Sequence, residues 1–306
     1  MYDIVIIGAG PAGLTAAIYG IRAGLSVVVL ESMMYGGQIA GTPEVENYPS
    51  IQKISGWQLA QNIYDQAVAQ GVEVKFEAVE KIELGEGNCG GVKTVVTPFN
   101  KYECKTVIIA NGAKRRLLGC PGEEEFKGMG VSYCATCDGA FFRGKTTAVV
   151  GGGNTALEDS LFLSNLCEKV YLIVRKDKFR GEKRLAEAVL ARDNIEILYS
   201  HVVDRIEGDG LVSEVIVKDS GGETKKLDVS AVFVAIGMVP DNGAFADVVE
   251  LDDAGYIVAD ETCKTSCAGI FAAGDSRTKE VRQIITAASD GAVAAVAAAN
   301  LVNAEG

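Results

Sequence analysis

Cys134-Ala135-Thr136-Cys137-Asp138 places two thiols and a carboxylate within one short stretch. In a Cys-x-x-Cys turn the sulfurs can close a disulfide, and the motif can lower one thiol's pKa below the free value of ~8.5, which gives a thiolate at neutral pH. Such a thiolate attacks a partner's disulfide through a mixed disulfide, and the second cysteine resolves it. Asp138 is the nearest acid in sequence to protonate a leaving sulfur. The competing chemistry is half of a zinc site, which needs about four ligands. The chain has one histidine, His201, and no second Cys-x-x-Cys, and the spacing of Cys263 and Cys267 does not complete a familiar site. No metal is expected. His201 reads as structural, and Cys89 and Cys104 read as inert small hydrophobes.

A redox pair needs an electron source, and the elements around it supply candidates. Tyr2 to Ile7 is a β-branched run that enters Gly8-Ala9-Gly10-Pro11-Ala12-Gly13, and an alanine-rich helical pattern follows to about Ala23. In this strand, turn and helix, Gly8 permits the tight turn, Gly10 lets the backbone approach a pyrophosphate, and Gly13 allows close helix packing. The next strand, Leu25 to Leu30, ends at Glu31, where a carboxylate accepts hydrogen bonds from an adenosine ribose. Gly36-Gly37-Gln38 and Asn47 lie in loops suited to touching a ring and a sugar. A capped helix is expected from Ser55 to Gln70, followed by short strands to about Glu103.

Thr106 to Gly112, which includes Ala110 and Gly112, and Ala231 to Gly237 look like copies of one buried strand. Ala148-Val149-Val150 likewise leads into Gly151-Gly152-Gly153-Asn154-Thr155-Ala156, a helix, and a strand from Val170 to Val174. The segment 145–237 therefore repeats the plan of 2–112 and carries a second dinucleotide turn. The copies differ where the ligand is chosen. The first strand ends in Glu31 and the second in Arg175-Lys176, with Arg180 a turn later. An acid there suits a 2′-hydroxyl, whereas cations invite a 2′-phosphate. The first site suits FAD and the second NADPH.

The 306 residues suffice for two domains, and 48% hydrophobic with 23% charged residues describes a soluble α/β protein. A net charge of −12 argues against general affinity for nucleic acid or an anionic membrane. Eight cysteines are too few for a disulfide scaffold, and the opening Met-Tyr-Asp-Ile shows no charged leader, so a cytoplasmic location is expected. Ala292 to Ala299 is too short and weakly apolar to span a bilayer and reads as part of a core helix. That helix starts near Arg282-Gln283, after the short strand Gly269-Ile270-Phe271-Ala272-Ala273-Gly274-Asp275. Its N-terminus favours negative charge, as of a reduced flavin.

In order along the chain, these motifs resemble those of the low-molecular-weight bacterial thioredoxin reductases, over essentially the whole length. The resemblance rests on Gly8 to Gly13, Gly36-Gly37-Gln38, Cys134 to Asp138, Gly151 to Ala156, Arg175, Lys176 and Arg180, and Gly269 to Asp275 with Arg282-Gln283. It implies two Rossmann-like dinucleotide-binding domains of the three-layer ββα type, the second inserted into the first. The FAD domain would comprise 1–113 and 241–306, and the NAD(P)H domain 114–240 with the redox cysteines. A homodimer and thioredoxin as partner are also implied, with Gly8, Gly10, Pro11, Ala12, Gly13, Glu31, Gly36, Gly37, Gln38, Asn47, Ala110, Gly112, Gly274, Asp275, Arg282, Gln283 and Ile284 toward FAD. Gly151, Gly153, Asn154, Thr155, Arg175, Lys176 and Arg180 fall toward NADPH. This chain has Val174-Arg175-Lys176 where the family usually has His-Arg-Arg, Ala110-Asn111-Gly112 where Ala-Thr-Gly is usual, and Ile284 where alanine is usual. Lysine is a point charge rather than a bidentate fork, which weakens the phosphate site.

The expected reaction passes electrons from NADPH through FAD and the Cys134–Cys137 disulfide to thioredoxin. Cys137, beside Asp138, is the choice for the sulfur facing the flavin, and Phe141-Phe142 and Arg143 are candidates for docking the partner. Glutathione-reductase-like enzymes use a histidine late in the chain, and none follows His201. The remaining alternatives are the same dithiol chemistry with ferredoxin or NADH as donor, a flavin-dependent dithiol oxidase, and a nucleotide-binding interaction protein.

Overall fold

The computed structural model describes residues 1–42 and 44–304. The chain divides into two units, Met1–Lys114 with Val239–Gly306, and Arg115–Met238. In chain order the first unit begins with β1 (Tyr2–Ile7), α1 (Pro11–Arg22), β2 (Val27–Glu31), α2 (Gly56–Ala69) and β3 (Glu73–Phe76). An antiparallel run follows in β4 (Lys81–Leu84), β5 (Lys93–Val96) and β6 (Lys101–Ile109), and β7 (Ala113–Arg115) leads out of the unit. The second unit contains β8 (Val131–Ser132), α3 (Ala135–Asp138), β9 (Thr146–Val150), α4 (Asn154–Ser164), β10 (Lys169–Val174), α5 (Lys183–Leu190) and β11 (Ile195–Tyr199). It continues through the meander β12 (His201–Asp209), β13 (Leu211–Asp219) and β14 (Thr224–Asp228) to β15 (Ala231–Val234). The chain returns through β16 (Met238–Pro240) and finishes with β17 (Ile270–Ala272) and α6 (Ile284–Ala304).

Both units use one strand order. The first sheet runs β3-β2-β1-β6 and the second β11-β10-β9-β15 before β8. Every pair in those runs is parallel, with Ile6 opposite Val29 and Ile108 in one and Val149 opposite Leu172 and Phe233 in the other. Parallel strands are covered on both faces, which is why they read as unbroken β-branched runs. Their side chains still alternate. Ile4 and Ile6 join a core with α1 and α6, while Val5 and Ile7 join another beneath the β4–β6 run. In the second unit Val149 packs toward α4 and α5, while Ala148 and Val150 pack toward the meander. Each unit is therefore helix, parallel sheet and antiparallel strands in three layers.

α2 is capped as its sequence requires, with the Ser55 hydroxyl accepting from Gln58 N–H at 3.1 Å. α6 is longer than the alanine run suggests. At 21 residues it is long and apolar enough by composition to cross a membrane, yet it packs on α1, burying Ala294, Ala295, Ala298 and Val302. Gly291 makes this close crossing possible, since a Cβ there would stand 2.1 Å from the Ala12 carbonyl oxygen.

The reading of Cys89 as inert is corrected by the structure. Cys89, in the turn between β4 and β5, is disulfide-bonded to Cys267, 178 residues later and just before β17. Motif spacing could not show this, because the pairing depends on β17 joining the sheet beside β6. Cys104 is a buried free thiol, as expected, and burial pushes it up to about 12.

Candidate active site

The first turn is shaped by what its glycines exclude. Gly8 has φ +103° and a Cβ there would lie 2.5 Å from the Ala110 carbonyl oxygen, while one on Gly13 would lie 1.8 Å from Gly8 oxygen. A Cβ on Gly10, in contrast, meets nothing within 4 Å. The side of the turn at Gly10 is therefore open. α1 starts beyond it with Pro11 in its first turn and no side-chain cap, so its N-terminal N–H groups are left for an anion. Glu31 closes the site: one carboxylate oxygen accepts from Ala9 N–H at 2.8 Å and the other from Met33 N–H at 3.1 Å. These residues fit a dinucleotide.

Of the other candidates of this unit, Gly36, Gly37, Ala110 and Gly274 lie against that turn, and the rest are held elsewhere. Gly36 donates its N–H to Ala9 oxygen at 2.7 Å, and a Cβ on Gly37 would lie 3.4 Å from Gly10 Cα. The amides of Gln38 and Asn47 bind Ala113 oxygen and Gln283 Oε1 respectively. Ala110 N–H continues the sheet to Ile7 oxygen, Gly112 takes φ +69°, and Asn111 between them donates to Asp241 oxygen. Gly274, with φ +76°, lies close to Ala12 and precedes Asp275. Gln283 oxygen accepts the first turn's bond from Ala287 N–H, Ile284 packs in the Ile39 and Leu59 cluster, and the Arg282 guanidinium lies over the Tyr256 ring.

The second turn repeats the plan. A Cβ on Gly151 would meet Ala235 oxygen at 2.3 Å, Gly153 again faces open space, and α4 again starts with no side-chain cap. Thr155 is exposed in its first turn. Asn154 is committed to the protein, accepting from Glu182 N–H at 2.8 Å and donating to Glu182 Oε1 at 3.1 Å. Two segments bring cations beside this turn. Val174, whose side chain lies against Gly152, is followed by exposed Arg175 and Lys176, and Arg180 donates its N–H to Gly152 oxygen at 2.7 Å.

In the same unit Cys134 and Cys137 are joined as a disulfide across the short α3. Asp138 follows, and its carboxylate accepts from the Ser132 hydroxyl at 2.6 Å. Burial pushes the Asp138 carboxyl up, against the hydrogen bond from Ser132 and the charge of Arg115, so it holds a proton to higher pH than an ordinary carboxyl. Ser132 also accepts from Cys134 N–H at 3.1 Å, and Thr136 Oγ1 lies 3.4 Å from Cys134 Sγ. Phe142 packs edge-on against Phe233 while Phe141 is exposed. Among the described residues no cluster suited to a metal occurs.

Sequence reasoning missed Ser132 and Arg115, neither of which belongs to a motif. It also missed Asp290, whose carboxylate accepts from Gly274 N–H at 3.0 Å, Arg277 Nε at 2.9 Å and Lys279 Nζ at 2.8 Å. A lone acid within an alanine-rich helix was the available signal, since such a group is buried only with partners.

The pyridine nucleotide-disulphide oxidoreductase family model matches residues 2–291. The chain is 46% identical over 304 residues to a thioredoxin reductase of Treponema pallidum (strain Nichols), covering 99% of this chain and 97% of the relative. It is 40% identical over 312 residues to one of Peptoclostridium acidaminophilum, covering 99% and 98%. The solved thioredoxin reductase of Streptococcus pyogenes MGAS5005 matches at TM-score 0.93 and 42% identity, covering 99% of both chains. With its paired dinucleotide turns and its Cys134–Cys137 disulfide, the chain belongs to the pyridine nucleotide-disulphide oxidoreductase family and, within it, to the low-molecular-weight thioredoxin reductases.

Proposed function

We propose that the protein is an NADPH-dependent thioredoxin-disulfide reductase that uses FAD. The observation that carries this is the closed Cys134–Cys137 disulfide with the half-buried, Ser132-held Asp138 beside it, in the unit that also bears the second dinucleotide turn. When bound, FAD supplies the two-electron relay between a nicotinamide hydride and a disulfide. Gly10 and the α1 N-terminus hold its pyrophosphate, Glu31 its ribose, and the Gly36-Gly37 loop, Gly274 and Asp275 the rest. Gly153 and the α4 N-terminus hold the NADPH pyrophosphate, with Arg175, Lys176 and Arg180 on its 2′-phosphate.

Two electrons and one proton taken up from solvent open the Cys134–Cys137 bond to a thiolate and a thiol, with Cys137 as the sulfur that receives the electrons. The thiolate attacks the thioredoxin disulfide, the other cysteine resolves the mixed disulfide, and dithiol thioredoxin leaves as Cys134–Cys137 reforms. Asp138, whose hold on a proton burial strengthens, delivers a proton to a leaving sulfur. Phe141 and Arg143, exposed just after the pair, suit the partner's surface. The same reading makes the enzyme a cytoplasmic homodimer, and exposed Ile285, Val293 and Val296 on α6 support the dimer.

An anaerobic titration of the flavoprotein tests the donor. NADPH is expected to bleach the oxidised-flavin absorbance stoichiometrically, at much lower concentration than NADH. Bleaching only by reduced ferredoxin would remove NADPH from the scheme. Asp138→Asn is expected to slow thioredoxin reduction about 10²-fold with FAD content unchanged, and full activity in that variant would exclude Asp138 as the acid.

A further inference from the structure

The Cys89–Cys267 disulfide lies in the first unit and the Cys134–Cys137 pair in the second. Its two ends differ in access. Cys89 is half-buried in a turn whose Gly85, Glu86, Gly87 and Gly90 are exposed, whereas Cys267 is 2% exposed. Cys89 is therefore the more accessible end of the bond for an attacking thiolate, and Cys267 is the sulfur that leaves.

The bond also fastens something. Cys267 oxygen accepts from Ile270 N–H at 3.0 Å, and Cys263 oxygen from Ala272 N–H at 2.9 Å, so the 263–267 segment is laced to β17. β17 runs directly into Gly274 and Asp275. The disulfide thus ties the β4–β5 turn to the strand that delivers the flavin-holding loop.

We propose that Cys89–Cys267 is a second disulfide-exchange site, whose substrate is the dithiol form of the small protein that the Cys134–Cys137 pair reduces. This rests on the thioredoxin reductase reading. The dithiol's thiolate attacks Cys89 Sγ, forming a mixed disulfide and releasing Cys267 as a thiolate that takes up a proton. The dithiol's second sulfur then displaces Cys89. Two electrons pass to the pair, which ends as two thiols, and the small protein ends as its disulfide. Opening the bond loosens β17 and with it the hold on FAD, so accumulated product weakens flavin retention.

Alkylation of the denatured full-length holoenzyme with iodoacetamide, followed by intact mass and peptide mapping, reads each state. The oxidised enzyme is expected to take four labels, on Cys104, Cys120, Cys167 and Cys263. NADPH alone, anaerobically, should add Cys134 and Cys137, and NADPH with thioredoxin should add Cys89 and Cys267 as well. If NADPH alone fails to expose Cys134 and Cys137, the proposed function fails. If Cys89 and Cys267 stay protected with thioredoxin present, or are labelled with NADPH alone, the exchange site is overturned. In a second measurement, pre-reduced thioredoxin should raise the rate of FAD loss on dilution about fivefold, to the rate shown by Cys89→Ser without it. Equal rates in all three samples would rule out the link to flavin.

Discussion

Gly8 and Gly151 meet the same obstacle, a carbonyl oxygen at the end of the neighbouring strand, and Gly10 and Gly153 face the same open space. The third position breaks the symmetry. Gly13 is pressed onto Gly8 oxygen, whereas its counterpart Ala156 keeps a methyl group. α1 is squeezed from its far side by Gly291 of α6 and by Gly274, both against Ala12. α4 packs instead with α3 and α5. The strand ends differ as well, with a carboxylate fixed by Ala9 N–H in one unit and exposed Arg175 and Lys176 in the other. The backbone is thus duplicated where any pyrophosphate must approach, and the side chains diverge where one nucleotide is told from another.

The sharpest test of that asymmetry is a reciprocal exchange at the third position. Gly13→Ala would drive a methyl into Gly8 oxygen and force α1 off the sheet, an overpacking of about 3 kcal/mol. The variant should be isolated with little FAD and a lowered Tm. Ala156→Gly should cost about 1 kcal/mol through helix propensity and leave flavin content intact. Normal flavin content and Tm in Gly13→Ala would show that the two turns tolerate the same residue after all.

The strand-end difference should appear as a cofactor effect. Replacing Arg175 or Lys176 with alanine removes a charge-assisted contact, so the KM for NADPH should rise about tenfold and that for NADH should stay unchanged. Arg175 should matter more than Lys176, because its fork can hold two phosphate oxygens. Equal losses with both nucleotides would mean that these cations hold something other than the 2′-phosphate.

Much of this was legible because the signals are local. A continuous β-branched run such as Tyr2 to Ile7, a glycine turn and an acid at the next strand end each depend on residues close in sequence, and the copy at 145–237 repeats them. Cys89–Cys267 was not legible, since only the pairing of β17 with β6 brings its ends together. Ser132 was missed for a different reason: a serine before a redox pair has no distinctive pattern until the chain folds its hydroxyl onto Asp138. The pairing of β16 with β7 was not legible for the same reason as that disulfide, since the two strands lie far apart in the chain.

The units also differ in how they treat an acid on a helix packed against the parallel sheet. Asp290 of α6 is driven up by burial, but hydrogen bonds from Arg277 and Lys279 outweigh this and hold its carboxyl below the usual range. Its contribution to stability is present above the unfolded carboxyl pKa of ~3.9 and is lost as pH falls through the folded value. Among the described residues no such cation offsets burial at Asp159 of α4. Burial, with the negative charge of Glu158, pushes it up to about 7. The sign is then reversed: its contribution is complete below ~3.9 and is lost as pH rises through about 7. Asp159→Asn removes the charge while nearly keeping the shape. The variant should therefore match the parent near pH 4 and exceed it at pH 8 by about 1–2 kcal/mol, a figure reduced for the residue's partial exposure to solvent. Thermal unfolding of both proteins across this range decides the matter. A difference that does not change with pH would mean that Asp159 is paired or solvated as well as Asp290, and the contrast between the two helices would then disappear.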